Sequence, residues 1–179
     1  MIMTENNTML LAIGNAGGNI IDTMHQKTEN AELKDAEYVF VDCEESDLSN
    51  HTSGDCKSIL LDYNSDEFPV EIFVGIEKLV IVAGLGGKTA TKYVELAATT
   101  AKVVGVKSIN VVVTLPFHFE GEERISTATS AAQRLSELKD VKTIVFNNED
   151  LMNKYPELNF FNAFKAADLE MMHIAANLV

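Results

Sequence analysis

The stretch VIVAGLGGKTATK, residues 80–92, passes from an apolar strand-like run into glycines, a lysine and threonines. It contains Gly87-Lys88-Thr89, the last three letters of a Walker-type phosphate loop. In such loops the backbone amides of a glycine turn at a helix start bind phosphate, and the lysine adds positive charge. The chemistry that these residues suggest is therefore the binding of nucleotide phosphates.

Neither of the two common phosphate motifs is complete. The Walker pattern requires a glycine five residues before Gly87, where the sequence has Val82. The dinucleotide fingerprint G-x-G-x-x-G starts at Gly84 but has Thr89 in place of its third glycine. An earlier glycine turn, residues 14–18, does not fit the fingerprint either. Each turn alone is most simply a tight strand–helix connection, but two of them favour phosphate binding.

Apolar and amphipathic segments predict the elements that position these turns. We predict strands over residues 9–14, 37–43, 57–63, 80–84, 108–116 and 142–148. We predict a turn over 15–19 and helices over 20–26, 70–79, 89–105, 122–140 and 161–179. Such alternation indicates a parallel sheet covered on both faces, with ligands at the carboxyl ends of the strands.

The fold class that follows is α/β, a three-layer sandwich with a mostly parallel, Rossmann-like sheet of about six strands. The sequence has no repeat or linker, so we expect one domain over residues 9–179, preceded by a frayed polar terminus over residues 1–8.

Composition excludes several classes of function. The formal net charge of −13 argues against binding to nucleic acid or to anionic lipid. Cys43 and Cys56 lie apart from any histidine cluster, which argues against structural zinc and predicts free thiols. No signal peptide and no apolar run of membrane-spanning length is apparent. We expect a cytoplasmic protein with no membrane insertion.

Four segments resemble the tubulin/FtsZ superfamily. The segment AGLGGKTAT (83–91) is similar to its glycine-rich signature loop, and TLPFHFEGEER (114–124) to the Pro-Phe-x-Phe-Glu-Gly-x-x-Arg segment of FtsZ. The segment IVFNNEDLM (144–152) resembles Ile-Pro-Asn-Asp-x-Leu, and NAFKAADLEMM (162–172) resembles Ala-Phe-x-Ala-Ala-Asp. The order and spacing of the four agree with the FtsZ GTPase domain.

The resemblance implies a guanine-nucleotide site for GTP or GDP, and it leaves open whether Mg²⁺ takes part. It implies phosphate contacts from both glycine turns, an acid–base pair near the ribose and phosphates, and a slot for guanine. The residues at these positions are Gly14, Gly17, Gly18, Gly86, Gly87, Lys88, Thr89 and Thr91 for the phosphates, Glu120 and Arg124 for the pair, and Asn148, Phe164 and Asp168 for guanine.

The guanine assignment also has a chemical basis. Phe164 and Asp168 are four residues apart and share one face of a helix. An aromatic ring stacks on a purine, and a carboxylate accepts hydrogen bonds from guanine N1–H and N2–H₂, which adenine cannot offer. A core phenylalanine beside a solvated aspartate is the simpler alternative for these two residues, just as an exposed ion pair is for Glu120 and Arg124.

The sequence departs from the family pattern where phosphates bind. Lys88, Ala90 and Lys92 replace glycines of the signature loop, and Asp42-Cys43-Glu44 replaces Asn-Thr-Asp. The two lysines either neutralise a phosphate or fill the pocket. The family's catalytic acids and second domain come after the central helix, near which this sequence ends at Val179. We therefore assign no catalytic residue and expect little or no GTP hydrolysis.

Two functions remain open. One is an FtsZ-like guanine-nucleotide-binding domain, with self-association or an FtsZ-family protein as further partners. The other is a pseudo-GTPase, an interaction or regulatory scaffold that binds no nucleotide. A nicotinamide-dependent oxidoreductase is disfavoured by the missing fingerprint.

Overall fold

The computed structural model describes residues 7–27, 35–51 and 55–179. The strands are β1 (Thr8–Ile13), β2 (Glu37–Asp42), β3 (Lys57–Leu60), β4 (Lys78–Gly84), β5 (Ser108–Leu115) and β6 (Lys142–Asn147). The helices in the described ranges are α1 (Gly14–Lys27), α2 (Glu45–Asn50), α3 (Lys88–Val104), α4 (Glu122–Ser136), α5 (Asn148–Lys154) and α6 (Phe160–Ala176).

The six strands form one sheet in the order β3-β2-β1-β4-β5-β6. All five neighbouring pairs are parallel, which confirms the predicted α/β class and the strand number. From β1 the chain builds the sheet outward through β2 and β3, then returns to place β4 on the other side of β1. This reversal creates a crevice at the carboxyl ends of β1 and β4, where sheets of this kind bind ligands.

Helices cover both faces of the sheet. On one face Leu11 and Ile81 pack against α3 and α4, with Tyr93 the largest fully buried side chain. On the other face Leu10 and Phe40 pack with residues of α1 and α6. Strands buried on both faces explain why the sequence shows continuous apolar runs rather than alternation.

The first glycine turn is part of a helix. We predicted a turn over 15–19 and a helix from residue 20, but α1 begins at Gly14, directly after β1. Gly14 has φ +78°, a conformation that is strained for other residues, so it turns the chain from strand to helix in one step. The prediction was wrong because glycine, which weakens isolated helices, here meets a requirement of packing.

Other boundaries also differ. The helix predicted over 70–79 is a single 3-10 turn, Val70–Phe73, because Gly75 has φ +83° and Lys78 already begins β4. The helix predicted over 122–140 ends at Ser136, and the strand predicted over 57–63 ends at Leu60. Helices α2 and α5 were not predicted, since each is short and lacks a repeated apolar pattern. Residues 1–6 of the predicted frayed terminus lie outside the described residues, and Thr8 already belongs to β1.

Close packing of α1 gives a stability prediction. A Cβ added at Gly17 would lie 2.8 Å from the carbonyl oxygen of Val82 and 3.2 Å from Cβ of Ala12. We expect Gly17→Ala to lower the free energy of unfolding by about 1–3 kcal/mol, because rigid backbone must move to admit the methyl group. Urea denaturation measures the change. Gly87→Ala is the matched control, since the nearest atom to its added Cβ is 3.9 Å away, and an equal loss in both variants would contradict the packing account.

Candidate nucleotide-binding site

A cleft of about 580 Å³ opens at the carboxyl ends of β1, β2 and β4. Residues from the first glycine turn, the end of β2, the second glycine turn and α6 line it together. They include Gly14, Asn15, Asp42, Cys43, Glu44, Asp47, Tyr63, Gly87, Lys88, Thr89, Arg124, Phe164 and Asp168. A smaller cavity of about 60 Å³ adjoins it and adds Thr114, Glu120 and Asn148.

Two helices begin at this cleft. Helix α1 starts at Gly14 and α3 at Lys88, with Gly87 as the residue that precedes its first turn. The first amides of a helix have no partner within it and carry partial positive charge, so both helix starts attract an anion. Parallel pairing of β1 with β4 places the two starts side by side. This end of the cleft is the candidate phosphate site.

Asp42 connects the strand end to the second glycine turn. It is 2 % exposed, and its Oδ1 accepts hydrogen bonds from Thr89 Oγ1 at 2.6 Å and from the Cys43 amide at 2.6 Å. The Glu44 amide, at 3.3 Å, is a third donor. A carboxylate beside the first turn of α3 also interacts favourably with the helix dipole. Thr89 therefore holds the loop in place and lines the cleft at the same time.

Thr91 and Gly86 stabilise the loop by a hydrogen bond to each other. The Gly86 amide donates to Thr91 Oγ1 at 3.1 Å, so this amide is already used within the loop. Gly86 has φ +95°, and an added Cβ would lie 2.6 Å from Cγ of Arg124. Among the predicted phosphate residues, Gly86 and Thr91 are outside the lining of the cleft.

Gly17 and Gly18 are also outside that lining. Gly17 faces the sheet, and an added Cβ at Gly18 would lie 2.5 Å from the ring of His51. Their small size lets α1 approach its neighbours. Of the first turn, Gly14, Asn15 and Ala16 reach the cleft instead.

The two lysines of the second turn point to different places. Lys88 lines the cleft at the start of α3. Lys92 turns toward the segment after β3, where its Nζ donates to the carbonyl oxygen of Tyr63, pairs with Asp66 at 3.3 Å and lies 4.9 Å from the centroid of the Tyr63 ring. Lys92 is absent from the residues that line the cleft, so it does not fill the pocket.

Glu120 and Arg124 form the expected pair at the edge of the cleft. Nε of Arg124 lies 3.2 Å from Oε2 of Glu120, whose other oxygen accepts a hydrogen bond from the Phe117 amide at 2.9 Å. The Arg124 side chain is 49 % exposed, so the pair alone contributes little to stability. Its guanidinium remains accessible from the cleft.

The three residues predicted for guanine converge on the smaller cavity. Asn148 is 5 % exposed, and its Oδ1 has no hydrogen-bond partner in the described structure. Phe164 is 46 % exposed, and its ring meets those of Phe117 and Phe119 at centroid distances of 5.3 and 5.7 Å. An orphaned buried acceptor is rare and costly, and a ligand that donates to it removes the cost.

Asp168 completes this end of the site. Burial raises the pKa of its carboxyl to about 6, well above that of an ordinary aspartate, and His51 partly opposes the rise in pKa. The carboxylate is therefore held in a poorly solvated position that a hydrogen-bond donor would stabilise. Perturbed groups of this kind are typical of functional sites.

Several contributors were not identified from the sequence. Asn15, Asn19, Asp47 and Tyr63 line the cleft, and none of them was predicted as a site residue. Cys43 also lines it, and both cysteines are free, with burial raising the pKa of the Cys43 thiol and that of Cys56 to about 11. Over residues 7–27, 35–51 and 55–179, no cluster of three or more acidic, histidine or cysteine side chains is arranged to hold a metal ion.

No protein-family model matches the chain. Cell division protein FtsZ 1 of Thermococcus kodakarensis is 40 % identical over 98 residues, which are 55 % of this chain and 26 % of that protein. FtsZ of Haloferax mediterranei is 28 % identical over 182 aligned residues, covering 94 % of this chain and 48 % of the relative. The FtsZ dimer of M. jannaschii superimposes with a TM-score of 0.77 at 25 % identity, over 96 % of this chain and 53 % of that one.

These similarities support an FtsZ/tubulin-superfamily domain.

CetZ1 of Haloferax volcanii, described as a GDP-bound monomer, shares the fold with a TM-score of 0.70 at 16 % identity, over 93 % of this chain and 58 % of that one. The chain spans about a quarter of the length of the Thermococcus kodakarensis relative and about half of that of Haloferax mediterranei FtsZ. Within residues 7–27, 35–51 and 55–179, no helix has both the length and the apolar character needed to cross a bilayer.

The environment of Asp168 predicts a pH-dependent stability difference. Because the pKa of this carboxyl is higher in the folded than in the unfolded chain, its ionisation lowers the free energy of unfolding. The loss begins as pH rises above the pKa of the unfolded chain, and it is complete above about pH 6. We therefore expect Asp168→Asn to stabilise the ligand-free protein by on the order of 1–3 kcal/mol at pH 7.5. The advantage should vanish near pH 4. Thermal unfolding at both pH values measures it, with the exposed Asp150→Asn as control, and equal gains at both pH values would contradict the account.

Proposed function

We propose that the chain is a guanine-nucleotide-binding domain, spanning residues 9–179, that binds GDP or GTP in the cleft with little or no hydrolysis. The observation that carries the proposal is the orphaned Oδ1 of Asn148 in the same small cavity as Phe164 and Asp168. A buried acceptor, a half-exposed ring and a poorly solvated carboxylate are what a purine with ring N–H donors requires.

The arrangement of the cleft supports the orientation of the nucleotide. The base would lie at the Asn148 end, and the phosphates at the starts of α1 and α3, with Arg124 between them lining both cavities. Gly14, Gly87, Lys88 and Thr89 would then contact phosphate directly. Gly17, Gly18, Gly86 and Thr91 would act by shaping the two loops. CetZ1, which shares the fold, is described as a GDP-bound monomer, and this supports a guanine nucleotide as the ligand.

The charge of the cleft bears on which nucleotide is preferred. Its lining carries the acids Asp42, Glu44, Asp47 and Asp168 but only two basic side chains, Lys88 and Arg124. Each added phosphate charge meets this acidic lining, so we expect GTP to bind no more tightly than GDP unless a divalent cation accompanies it. We propose self-association as well, and the comparison that supports it is the FtsZ dimer of M. jannaschii, which shares the fold.

The acids are poorly placed for general-base chemistry at a terminal phosphate. Asp42 already accepts three hydrogen bonds through Oδ1, and Asp168 lies beside the base cavity. Glu44 and Asp47 remain, and their charge opposes the approach of a third phosphate. This distribution supports binding without efficient turnover.

One observation favours the alternative, an interaction scaffold. Phe119, Phe160, Phe161 and Phe164 are 38, 61, 96 and 46 % exposed. The rings of Phe119 and Phe160 meet at a centroid distance of 4.5 Å, and Phe119 also contacts Phe164. Exposed aromatic clusters are characteristic of protein-binding surfaces. Phe164 belongs to both the cluster and the cleft, so a bound partner and a bound nucleotide would compete for it.

Guanine selectivity tests the proposed function. We expect wild-type protein, stripped of nucleotide, to bind GDP about 10-fold or more tightly than ADP, because adenine leaves the Asp168 acceptor unpaired. Asp168→Ala should remove the difference, and Phe164→Ala should weaken both ligands. Competition calorimetry measures these affinities, with Asp150→Ala as the exposed control. Equal affinity of wild type for GDP and ADP would contradict guanine recognition. If wild type binds neither nucleotide, the interaction scaffold is the function that remains.

Hydrolysis is tested separately. We expect phosphate release from GTP over hours to stay at the level of a protein-free blank, at low and at high protein concentration. Asp42 is engaged in hydrogen bonds, Asp168 lies beside the base cavity, and the charges of Glu44 and Asp47 oppose a third phosphate. Light scattering recorded in parallel follows assembly. Turnover that rises with protein concentration would show that association completes a competent site, and the proposed inactivity would then be wrong.

A further inference from the structure

A chain of hydrogen bonds connects the interior of the protein to the cleft. His51 is 6 % exposed, its Nδ1 lies 2.6 Å from Oδ2 of Asp22, and its Nε2 lies 2.8 Å from Oδ1 of Asn15. The imidazole ring stands edge-on to Phe40 at a centroid distance of 5.1 Å. Gly18 leaves the space that the ring occupies, since an added Cβ would lie 2.5 Å from it. His51 is thus held on three sides.

We propose that Asn15 is a phosphate-binding side chain of this cleft and that His51, held by Asp22, is the positioning residue that orients its amide. The inference rests on the proposed nucleotide function and deepens it. Asn15 lines the cleft at the start of α1, and its side-chain amide would add a donor to the backbone amides of that helix start.

The amide of Asn15 has two different ends. Oδ1 faces His51, and Nδ2 donates to no residue that the structure describes. Asn15 is exposed and lines the cleft beside Gly14 and Lys88. With its oxygen fixed by the imidazole, the amide presents N–H₂ donors to the cleft. An amide turned the other way would present its oxygen and repel an anion.

The protonation state of His51 selects between these two orientations. The Asp22 carboxylate accepts from Nδ1–H, so Nε2 donates to Oδ1 of Asn15 only when the ring carries both protons. A neutral ring with an unprotonated Nε2 would instead accept from Nδ2 and turn the Asn15 oxygen toward the cleft. The orientation that presents N–H₂ to the cleft is therefore the one in which His51 donates from both ring nitrogens.

Several charged or titratable groups surround His51. Asp22 on α1 faces Nδ1, and Asp168 on α6 is close enough for His51 to lower its pKa. The Asp22 charge also contributes to the raised pKa of the Cys56 thiol. Phe40 on β2 contributes no charge.

The experiment compares GDP with guanosine, which has the base but no phosphate. Asn15→Asp retains an acceptor for His51 but puts a carboxylate in the cleft, and His51→Phe retains the ring without its nitrogens. For each variant we expect GDP affinity to fall about 10-fold or more, with guanosine affinity unchanged within about twofold.

The outcomes separate this inference from the proposed function. Unchanged GDP affinity in Asn15→Asp, or equal losses for GDP and guanosine in both variants, would overturn the inference. Unchanged GDP affinity in His51→Phe would overturn the orienting role of His51. Inorganic pyrophosphate is the base-free probe. If wild type binds pyrophosphate in an Asn15-dependent manner but shows no preference for GDP over ADP, the phosphate site stands and guanine recognition fails. If it binds neither GDP nor pyrophosphate, both fail.

Discussion

The parallel pairing of β1 with β4 is the constraint on which the site depends. It joins two strands whose following helices start at the same edge of the sheet, so Gly14 and Gly87 meet across one crevice. Asp42, from the next strand out, fixes the second turn through Thr89. The close approach of α1 at Gly17 and Gly18 keeps the first turn against the sheet. A register shift between β1 and β4 would separate all of these contacts at once.

The two ends of the cleft differ in how they are prepared for a ligand. At the phosphate end Asp42 and Thr89 are already hydrogen-bonded to each other, and the helix starts supply the attraction. At the base end Asn148 lacks a partner and Asp168 is poorly solvated, so the ligand-free protein carries unfavourable terms that a matching base would relieve. Specificity is therefore expected from the base end, and the orientation of the phosphates from the loops. His51 influences both ends of the cleft. It contacts Asn15 at the phosphate end, and its charge lowers the pKa of Asp168 at the base end.

Sequence patterns predicted the sheet well and the loops less well. Continuous apolar runs identified all six strands, and Gly105, with φ +100°, ends α3 as expected. The helical start at Gly14 was missed because tertiary packing overrides the low helix propensity of glycine. The resemblance of the motifs predicted a common site for Asn148, Phe164 and Asp168, and these residues line one cavity. It could not show that Lys92 points away from the cleft or that Thr91 accepts a hydrogen bond from Gly86. His51 gave no signal, because a lone histidine between polar residues has no pattern to distinguish it.

The central claim is that one ligand spans both ends of the cleft. Amide chemical shifts of ¹⁵N-labelled protein, recorded while GDP is added, test it most directly. The account predicts the largest changes at two separated groups of residues, one around Gly14, Asn15 and Thr89 and the other around Asn148 and Asp168, with a common saturation curve. Changes confined to the exposed phenylalanines of α6, or no saturable change at either group, would contradict it.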